Sequence, residues 1–431
     1  MSTDSTHAVL AGLDDARKDL ESFYRDLHAH PELSHQETKT AGKVAERLRS
    51  AGYDVTTGVG GTGVVGILGN GTGPRVLLRA DMDALPVQEA TGLDYASTVT
   101  TTDADGESVP VMHACGHDVH VSCLATAAGL LAAKKDQWSG TLIALFQPAE
   151  EVGDGARGML DDGARDVIGT VDVALAQHVL PMPAGVVGTR VGPVLSAANS
   201  MRVTVHGRGA HGSMPQAAID PIVLAAMIVI RLQTIVSREV APTEPAVLTV
   251  GSIHSGTKSN VIGDRAVIDL NVRTYNNDTR EHVLDAIRRI VKAECEASGS
   301  PKDPEFELYD EFPLTVNDEA VTQRLTDAFA EFFGNDAQEL PLQSASEDFS
   351  DIPSAIGTPY SYWGIGGIDP NTYAEAVKAG RVSSDIPVNH SPYFAPVIQP
   401  TLDVGTRTLV VAALAYLDPD ADSNASRSRT A

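Results

Sequence analysis

Hydrophobic and polar positions along this chain change period several times, and each change predicts an element. From Ala8 to Leu27 apolar residues recur at helical spacing with charges between them, and Lys39 to Ala51 repeats the pattern up to Gly52, a helix stop. Val64–Leu68 and Arg75–Arg79 are short β-branched or leucine-rich runs separated by glycines and a proline, which predicts two strands and a turn. His117 to Lys135 is rich in Ala and Leu without proline and predicts a helix buried along one side. Thr141–Gln147 reads as a strand closed by Pro148, and Asp172–His178 as one closed by Pro181 and Pro183. Strands alternating with helices of this length predict an α/β layer with a largely parallel sheet.

The middle of the chain has another texture. Ser200–His206 alternates, with Met201, Val203 and Val205 set against Arg202, Thr204 and His206, as in a half-exposed strand. Pro221–Val236 predicts a long apolar helix, Val247–Ile253 and Arg265–Arg273 two more alternating strands, and Glu281–Ala297 an amphipathic helix. That is a β-α-β-β-α unit with one open sheet face. Asp318–Phe333 and Gln399–Leu417 return to helix. The predicted fold class is therefore α/β in two domains. A mostly parallel-sheet domain occupies residues 1–197 and 307–418, an α+β domain is inserted at 198–306, and residues 419–431 form a polar, flexible tail.

Composition narrows the functions. The chain has 431 residues, with 32 Lys plus Arg against 57 Asp plus Glu, a net charge of −25. No basic run is present to meet phosphates, so nucleic acid is not an expected partner. The longest apolar stretches, Pro221–Ile230 and Leu409–Leu417, fall short of the ~20 residues a bilayer span needs, so no membrane is expected either. The first twenty residues mix charges with short apolar patches and lack a signal-peptide core. Three cysteines, Cys115, Cys123 and Cys295, make no disulfide framework, and a reducing, cytoplasmic setting is expected.

Chemistry concentrates in a few places. Met112-His-Ala-Cys-Gly-His-Asp-Val-His120 offers a thiol and three imidazoles in front of a helix, and Cys115 and His117 both suit a borderline-soft divalent metal. A structural zinc site would want a second paired arm, which is missing. A Cys115 nucleophile activated by His117 stays open as a minor rival. Phe146-Gln-Pro-Ala-Glu-Glu151 sets adjacent carboxylates beyond a predicted strand end, where α/β folds bind ligands. After Pro148 one carboxylate could bind metal while the other reaches a water, and a solvated acidic loop is the plain alternative. Asp81 and Asp83 share one face at another strand end, His178 ends a third strand, and His390 lies in a distant loop. His28 and His30 form a pair without an obvious carboxylate partner, and His120, one turn from His117, could support a ligand.

Seven motifs then stand in a telling order: RADMDALP (79–86), MHACGHDVH (112–120), FQPAEE (146–151), HGRGAHGSMP (206–215), SNVI (259–262), SEDFS (346–350) and NHSPYF (389–394). Together with LHAHPELSHQE (27–37), they make the chain resemble the M20 metallopeptidases, and within them the N-acyl-amino-acid amidohydrolases such as hippurate and auxin-conjugate hydrolases. The resemblance implies a two-metal catalytic domain with an inserted lid that commonly dimerises. By motif, Cys115, His117, Glu151, His178 and His390 would be the metal ligands and Glu150 the general base toward a metal-activated water. His211 would help stabilise the oxyanion, from its own chain or a partner's, and Asn260 and Arg273 would meet the substrate. Two divalent ions are implied; zinc or manganese lead, and cobalt or nickel also suit these donors. The implied reaction is hydrolysis of an N-acyl amino acid by a homodimer. Alternatives are a metallo-carboxypeptidase or dipeptidase on the same scaffold, or a non-catalytic metal-binding relative. The lid departs from the family pattern at Gln216, where a second histidine is frequent, and at Gly263, where proline is frequent.

Overall fold

The computed structural model describes residues 3–418, so the expected tail at 419–431 lies outside the described residues. In chain order the main elements begin with helices Leu13–Ala29 (α1) and Thr38–Ser50 (α2) and strands Asp54–Val59 (β1), Gly63–Asn70 (β2) and Arg75–Asp81 (β3). Helix His117–Ala133 (α3) and strands Gly140–Gln147 (β4), Val173–Pro183 (β5) and Val187–Thr189 (β6) follow. Next come Ala197–His206 (β7), Pro221–Thr234 (α4), Ala246–Ser255 (β8), Arg265–Thr274 (β9), Asn277–Ala297 (α5) and Glu305–Phe312 (β10). The chain ends through Glu319–Phe333 (α6), Ala337–Glu339 (β11), Tyr360–Ile368 (β12) and Ile398–Leu417 (α7).

These elements form two compact units. The first comprises the chain up to Val194, Val316–Leu342 and the chain from Asp348; the second is Leu195–Thr315 with Gln343–Glu347. The first unit is built on an eight-stranded sheet, β1-β2-β4-β3-β5-β12-β6-β11. Its central strands β4, β3, β5 and β12 pair in parallel, and antiparallel pairs occur at β1–β2, β2–β4 and β12–β6. Strand β4 lies between β2 and β3, so the two runs joined by the glycine-rich turn do not pair with each other. Helices α1, α3 and α7 contribute to the main core, which includes Leu20, Phe23, Leu124, Leu131, Val410 and Leu414.

Strand β5 runs through Pro181 and Pro183 instead of stopping before them. Its pairing with β3 covers only Val173–Ala176, whereas its pairing with β12 continues to Pro183. Past Ala176 the prolines therefore sit along a strand with one recorded neighbour, where a missing N–H is tolerated. His178 consequently lies inside β5, not at its end.

The second unit is a four-stranded antiparallel sheet, β8-β9-β7-β10, whose core with α4 and α5 includes Met201, Ile228, Ile268 and Ile287. The expected insertion of 198–306 is too short. Its boundary at Phe306 cuts through β10, a fourth strand the alternation had not revealed, and the unit also takes in Gln343–Glu347. There Arg273 Nη1 donates to the Ser344 carbonyl at 2.8 Å and to Ser346 Oγ at 3.1 Å, and Tyr275 donates to the Gln343 carbonyl at 3.0 Å. Helix α4 continues as a π-helical turn to Glu239. Together Pro221–Glu239 are long and apolar enough to cross a membrane by length and composition, which the shorter run Pro221–Ile230 is not.

Candidate metal centre and active site

The first unit gathers its chemistry beyond the carboxyl ends of its parallel strands, where open α/β sheets bind ligands. The loop before α3 delivers Cys115, and Gly116, whose φ of 87° is left-handed, leads into His117, the first residue of α3. A Cβ at Gly116 would lie 2.4 Å from Val179 Cγ1 on β5, so only glycine lets the chain pass this closely to β5. Cys115 Sγ then stands 3.4 Å from His178 Nε2.

After β4 the chain turns sharply. Ala149 holds φ 52° and ψ 39°, a left-handed conformation that costs a side chain with a Cβ roughly 1–2 kcal/mol. Its N–H is taken by the Glu37 carboxylate at 2.9 Å. Gly155, where a Cβ would meet the Pro148 carbonyl oxygen at 1.8 Å, donates to the Ala149 carbonyl. The turn sends Glu150 and Glu151 inward, both side chains only 7% exposed. Glu151 Oε1 lies 3.8 Å and Glu150 Oε2 3.9 Å from His117 Nε2, and Glu151 Oε2 lies 3.3 Å from His390 Nε2. His390 is also left-handed, at φ 70°, anchored through its N–H to the Ala114 carbonyl at 2.8 Å. Ala149 and His390 are two of four non-glycine residues with positive φ among the described residues, and backbone strain of this kind gathers at functional sites.

Two three-donor groups result, Cys115–His117–His178 and Cys115–Glu151–His390, each with its donor atoms within 4.8 Å of one another. They share the Cys115 sulfur. His117, Glu150 and Glu151 form a further group of the same span. His117 Nε2 and Glu151 Oε1 are buried without a hydrogen-bond partner, although they face each other. At 3.8 Å they are too far apart to bond directly, and each residue belongs to a different one of the two groups that share Cys115, where an ion would satisfy it. The donor set therefore fits a divalent pair.

Asp81 and Asp83, expected to share a face, instead flank the His117 ring. Asp83 Oδ1 approaches Nδ1 at 3.2 Å and the Asp83 carbonyl accepts from it at 2.9 Å, while Asp81 Oδ2 lies 3.8 Å from Nε2. Both Asp81 oxygens are engaged: Arg79 Nη1 donates to one at 2.6 Å and His120 Nδ1 meets the other at 2.5 Å. His120 Nε2 accepts from the Val179 N–H at 2.9 Å, which fixes its proton on Nδ1. His120 thus supports a ligand strand without entering either group that shares Cys115. Arg79, fully buried, also reaches Gln147 and Asp348.

Electrostatics match a site that needs cations. Burial, with the carboxylates of Glu151 and Glu150, pushes the Cys115 thiol well above its ordinary range. Burial opposes charge on His117, but Asp81, Asp83 and Glu151 overcome it and raise its pKa to about 10. Burial and His120 hold His178 far below the ordinary range. Ions would supply the positive charge that otherwise has to come from protons.

Asn389 ties the ligand segments together, its Nδ2 donating to the Cys115 carbonyl at 3.0 Å and the Val179 carbonyl at 3.2 Å. Residue type alone marks neither Asn389 nor Glu37; they lie in the NHSPYF and LHAHPELSHQE runs. His28 does find carboxylate partners: Asp118 at 2.6 Å and Glu89 at 3.2 Å. It is buried and belongs to none of the donor groups, and His30 is exposed.

Three of the sequence-derived candidates belong to the second unit. His211 pairs with Val261 in a short ladder, the neighbouring Gly212 N–H donates to the Asn260 carbonyl at 2.8 Å, and His211 Nδ1 meets Ser213 Oγ at 2.7 Å. Both are exposed. Arg273 is half-buried and engaged with Ser344 and Ser346.

The family model described as peptidase family M20/M25/M40 matches residues 77–383. The chain belongs to that family. It is 41% identical over 306 residues to thermostable carboxypeptidase 2 of Saccharolobus solfataricus, covering 70% of this chain and 75% of the relative. It is 36% identical over 342 residues to hippurate hydrolase of Campylobacter jejuni, covering 78% and 85%. The structure of a dinuclear metal-binding M20 peptidase from Bacillus subtilis superposes with a TM-score of 0.73 at 28% identity, over 93% of this chain and 98% of that one. This M20-family hydrolase thus has the mixed α/β fold and the amide-cleaving, metal-dependent class of its relatives.

Proposed function

We propose that the chain hydrolyses the amide bond of N-acyl amino acids, releasing a carboxylate and a free amino acid. The observation that carries this reading is the pair of donor groups sharing Cys115 with Glu150 beside them. Cys115, His117 and His178 would hold one ion, and Cys115, Glu151 and His390 the other. Bound there, divalent ions supply Lewis acidity and lower the pKa of water from 15.7 towards ~7. Glu150, which belongs to neither group, is the base: its carboxylate takes a proton from water as the new C–O bond forms and returns it to the amide nitrogen as the C–N bond breaks. His211 is the donor assigned to the developing oxyanion, a contribution on the order of 3–4 kcal/mol where such donors have been deleted. Asn260 and Arg273 are assigned to the substrate carboxylate or carbonyl, and for Arg273 this would require leaving Ser344 and Ser346.

Hippurate hydrolase among the relatives supports an acyl-amino-acid substrate, and thermostable carboxypeptidase 2 supports peptide cleavage as the second reading. Thiolate and imidazole donors favour zinc, with manganese, cobalt or nickel as alternatives. A bare thiolate ligand fits a reducing, cytoplasmic setting, and all three cysteines are free. The exposed face of α4 and the edge strand β8 support a homodimer through the inserted unit. The deciding experiment assays acetyl-, benzoyl- and fatty-acyl amino acids beside dipeptides, on metal-stripped and reconstituted protein. Cleavage of dipeptides alone would replace the acyl-amino-acid reading with the peptidase one.

A further inference from the structure

We propose that Glu37 is a positioning residue whose buried carboxylate sets the turn that presents Glu150 and Glu151; the catalytic part of this rests on the reading of Glu150 as the base. Glu37 is 0% exposed. Its carboxylate accepts three hydrogen bonds, from the Ala149 N–H at 2.9 Å, the His35 N–H at 2.9 Å and Thr62 Oγ1 at 2.6 Å. It joins the loop before α2, the β1–β2 connection and the turn after β4. Burial pushes its pKa up, with the Asp83 carboxylate adding to the effect, so this charge is not placed there cheaply.

The target of that charge is specific. Ala149 is left-handed, and a turn of that hand leaves its N–H without a partner in β4 or in the 3-10 turn Glu150–Val152 that follows. Glu37 supplies the acceptor, Gly155 holds the Ala149 carbonyl, and Asp83 Oδ2 accepts the Glu151 N–H at 3.0 Å. The backbone on each side of the Glu150 side chain is thus pinned from outside its own segment. Without the Glu37 acceptor, Ala149 can relax towards the right-handed basin, and that rotation redirects the next residue, Glu150, before any other.

The conservative variant separates this role from simple packing. Glu37→Gln keeps an oxygen facing the Ala149 N–H and a group able to bond Thr62, whereas Glu37→Ala removes both, and Thr62→Val removes one donor only. Amide hydrogen exchange in the peptide spanning Gln147–Val152 is expected to rise about tenfold or more in Glu37→Ala and to stay within about twofold of the parent in Glu37→Gln. On whichever amide the parent cleaves, Glu37→Ala is expected to lose about a hundredfold in kcat, as for a misplaced reacting group, with KM and metal content little changed and Glu37→Gln near the parent. Parent-like exchange in a folded Glu37→Ala protein overturns the assignment, as does an equal kcat loss in both variants. If Glu37→Ala does not fold, the other two decide. Faster exchange and a selective kcat loss in Thr62→Val, with Glu37→Gln near the parent, support the assignment; a tenfold or larger loss in Glu37→Gln overturns it. A parent inactive on every amide overturns the hydrolase reading instead, and the exchange measurement still decides Glu37.

Discussion

Glu150 and Glu151 are chemically identical neighbours with different expected roles, and the difference comes from where each oxygen lies. Glu151 faces both His117 and His390, whereas Glu150 lies 3.9 Å from His117 and stays outside the two groups that share Cys115. Glu150→Gln is therefore expected to retain metal and lose about 10²–10⁴-fold in turnover, the range for a general base. Glu151→Ala is expected to lose metal, as read by elemental analysis; a Glu151→Ala protein with full metal content would exclude it as a ligand. Arg79 carries a separate, structural expectation. Its guanidinium is fully buried against Asp81 and Asp348, so Arg79→Met removes the cation these two buried carboxylates share and leaves Asp81 to His120 and Asp348 to Gln147 and the Ala156 N–H. Breaking a buried pair of this kind costs about 3–5 kcal/mol, measurable by chemical denaturation. At this scale the sequence was informative where a residue type is a metal donor. The structure brings Cys115, His117, Glu150, Glu151, His178 and His390 together from four separate segments. The sequence was silent on Glu37, Asn389 and the way Asp83 clamps His117, because a carboxylate that accepts from backbone N–H groups, or an amide that donates to backbone carbonyls, leaves no mark in residue type.

Between elements, the lesson concerns what periodicity can and cannot carry. Helices α2, α3 and α5 begin within a few residues of where apolar spacing placed them, because each buries a face whose period is local. The order of strands is not local. Nothing between Val64 and Arg79 says that β4, some sixty residues on, will separate β2 from β3. Nor does Pro181 show that β5 has one recorded neighbour there. Helix pairing brings its own prediction. His28 on α1 reaches Asp118 in the first turn of α3. Burial opposes its charge, but Asp118 and Glu89 raise its pKa from 6.5 to about 9. Below pH 6.5 the imidazole is charged in both the folded and the unfolded chain, and the contact contributes in full. As pH rises through the window from 6.5 to about 9, the unfolded chain gives up its proton first, and the contribution is lost. Denaturation midpoints should therefore fall across that window, and His28→Gln should flatten the decline. Equal slopes in the two proteins would remove His28 as its source. Where α3 begins, Gly116→Ala should impair folding or metal uptake, since a Cβ there collides with Val179.

A prediction about assembly rests on one face of the inserted unit. Helix α4 buries Leu224, Ala225, Ile228 and Leu232 against its own sheet. Ile222, Val223, Met227 and Ile230 are 49%, 59%, 50% and 66% exposed. At about 100° per residue these four span an arc of roughly 140°, set opposite the buried stripe. An apolar stripe this continuous is rarely left to water in a soluble chain. Strand β8 forms one edge of the same unit's sheet and offers unpaired backbone along its outer side. A second copy can satisfy both features through one twofold axis, pairing edge with edge and helix with helix. Each copy carries a net charge of −25, so association is expected to strengthen as salt screens the repulsion. Sedimentation velocity of the full chain should show a dimer. Ile230→Glu and Met227→Glu together should shift it to monomer by placing charge in the stripe while sparing the buried residues of α4. Because Pro221–Glu239 also has the length and composition of a membrane span, phospholipid vesicles serve as the control. A parent that remains monomeric at all salt concentrations but floats with vesicles would assign the stripe to lipid and overturn the dimer.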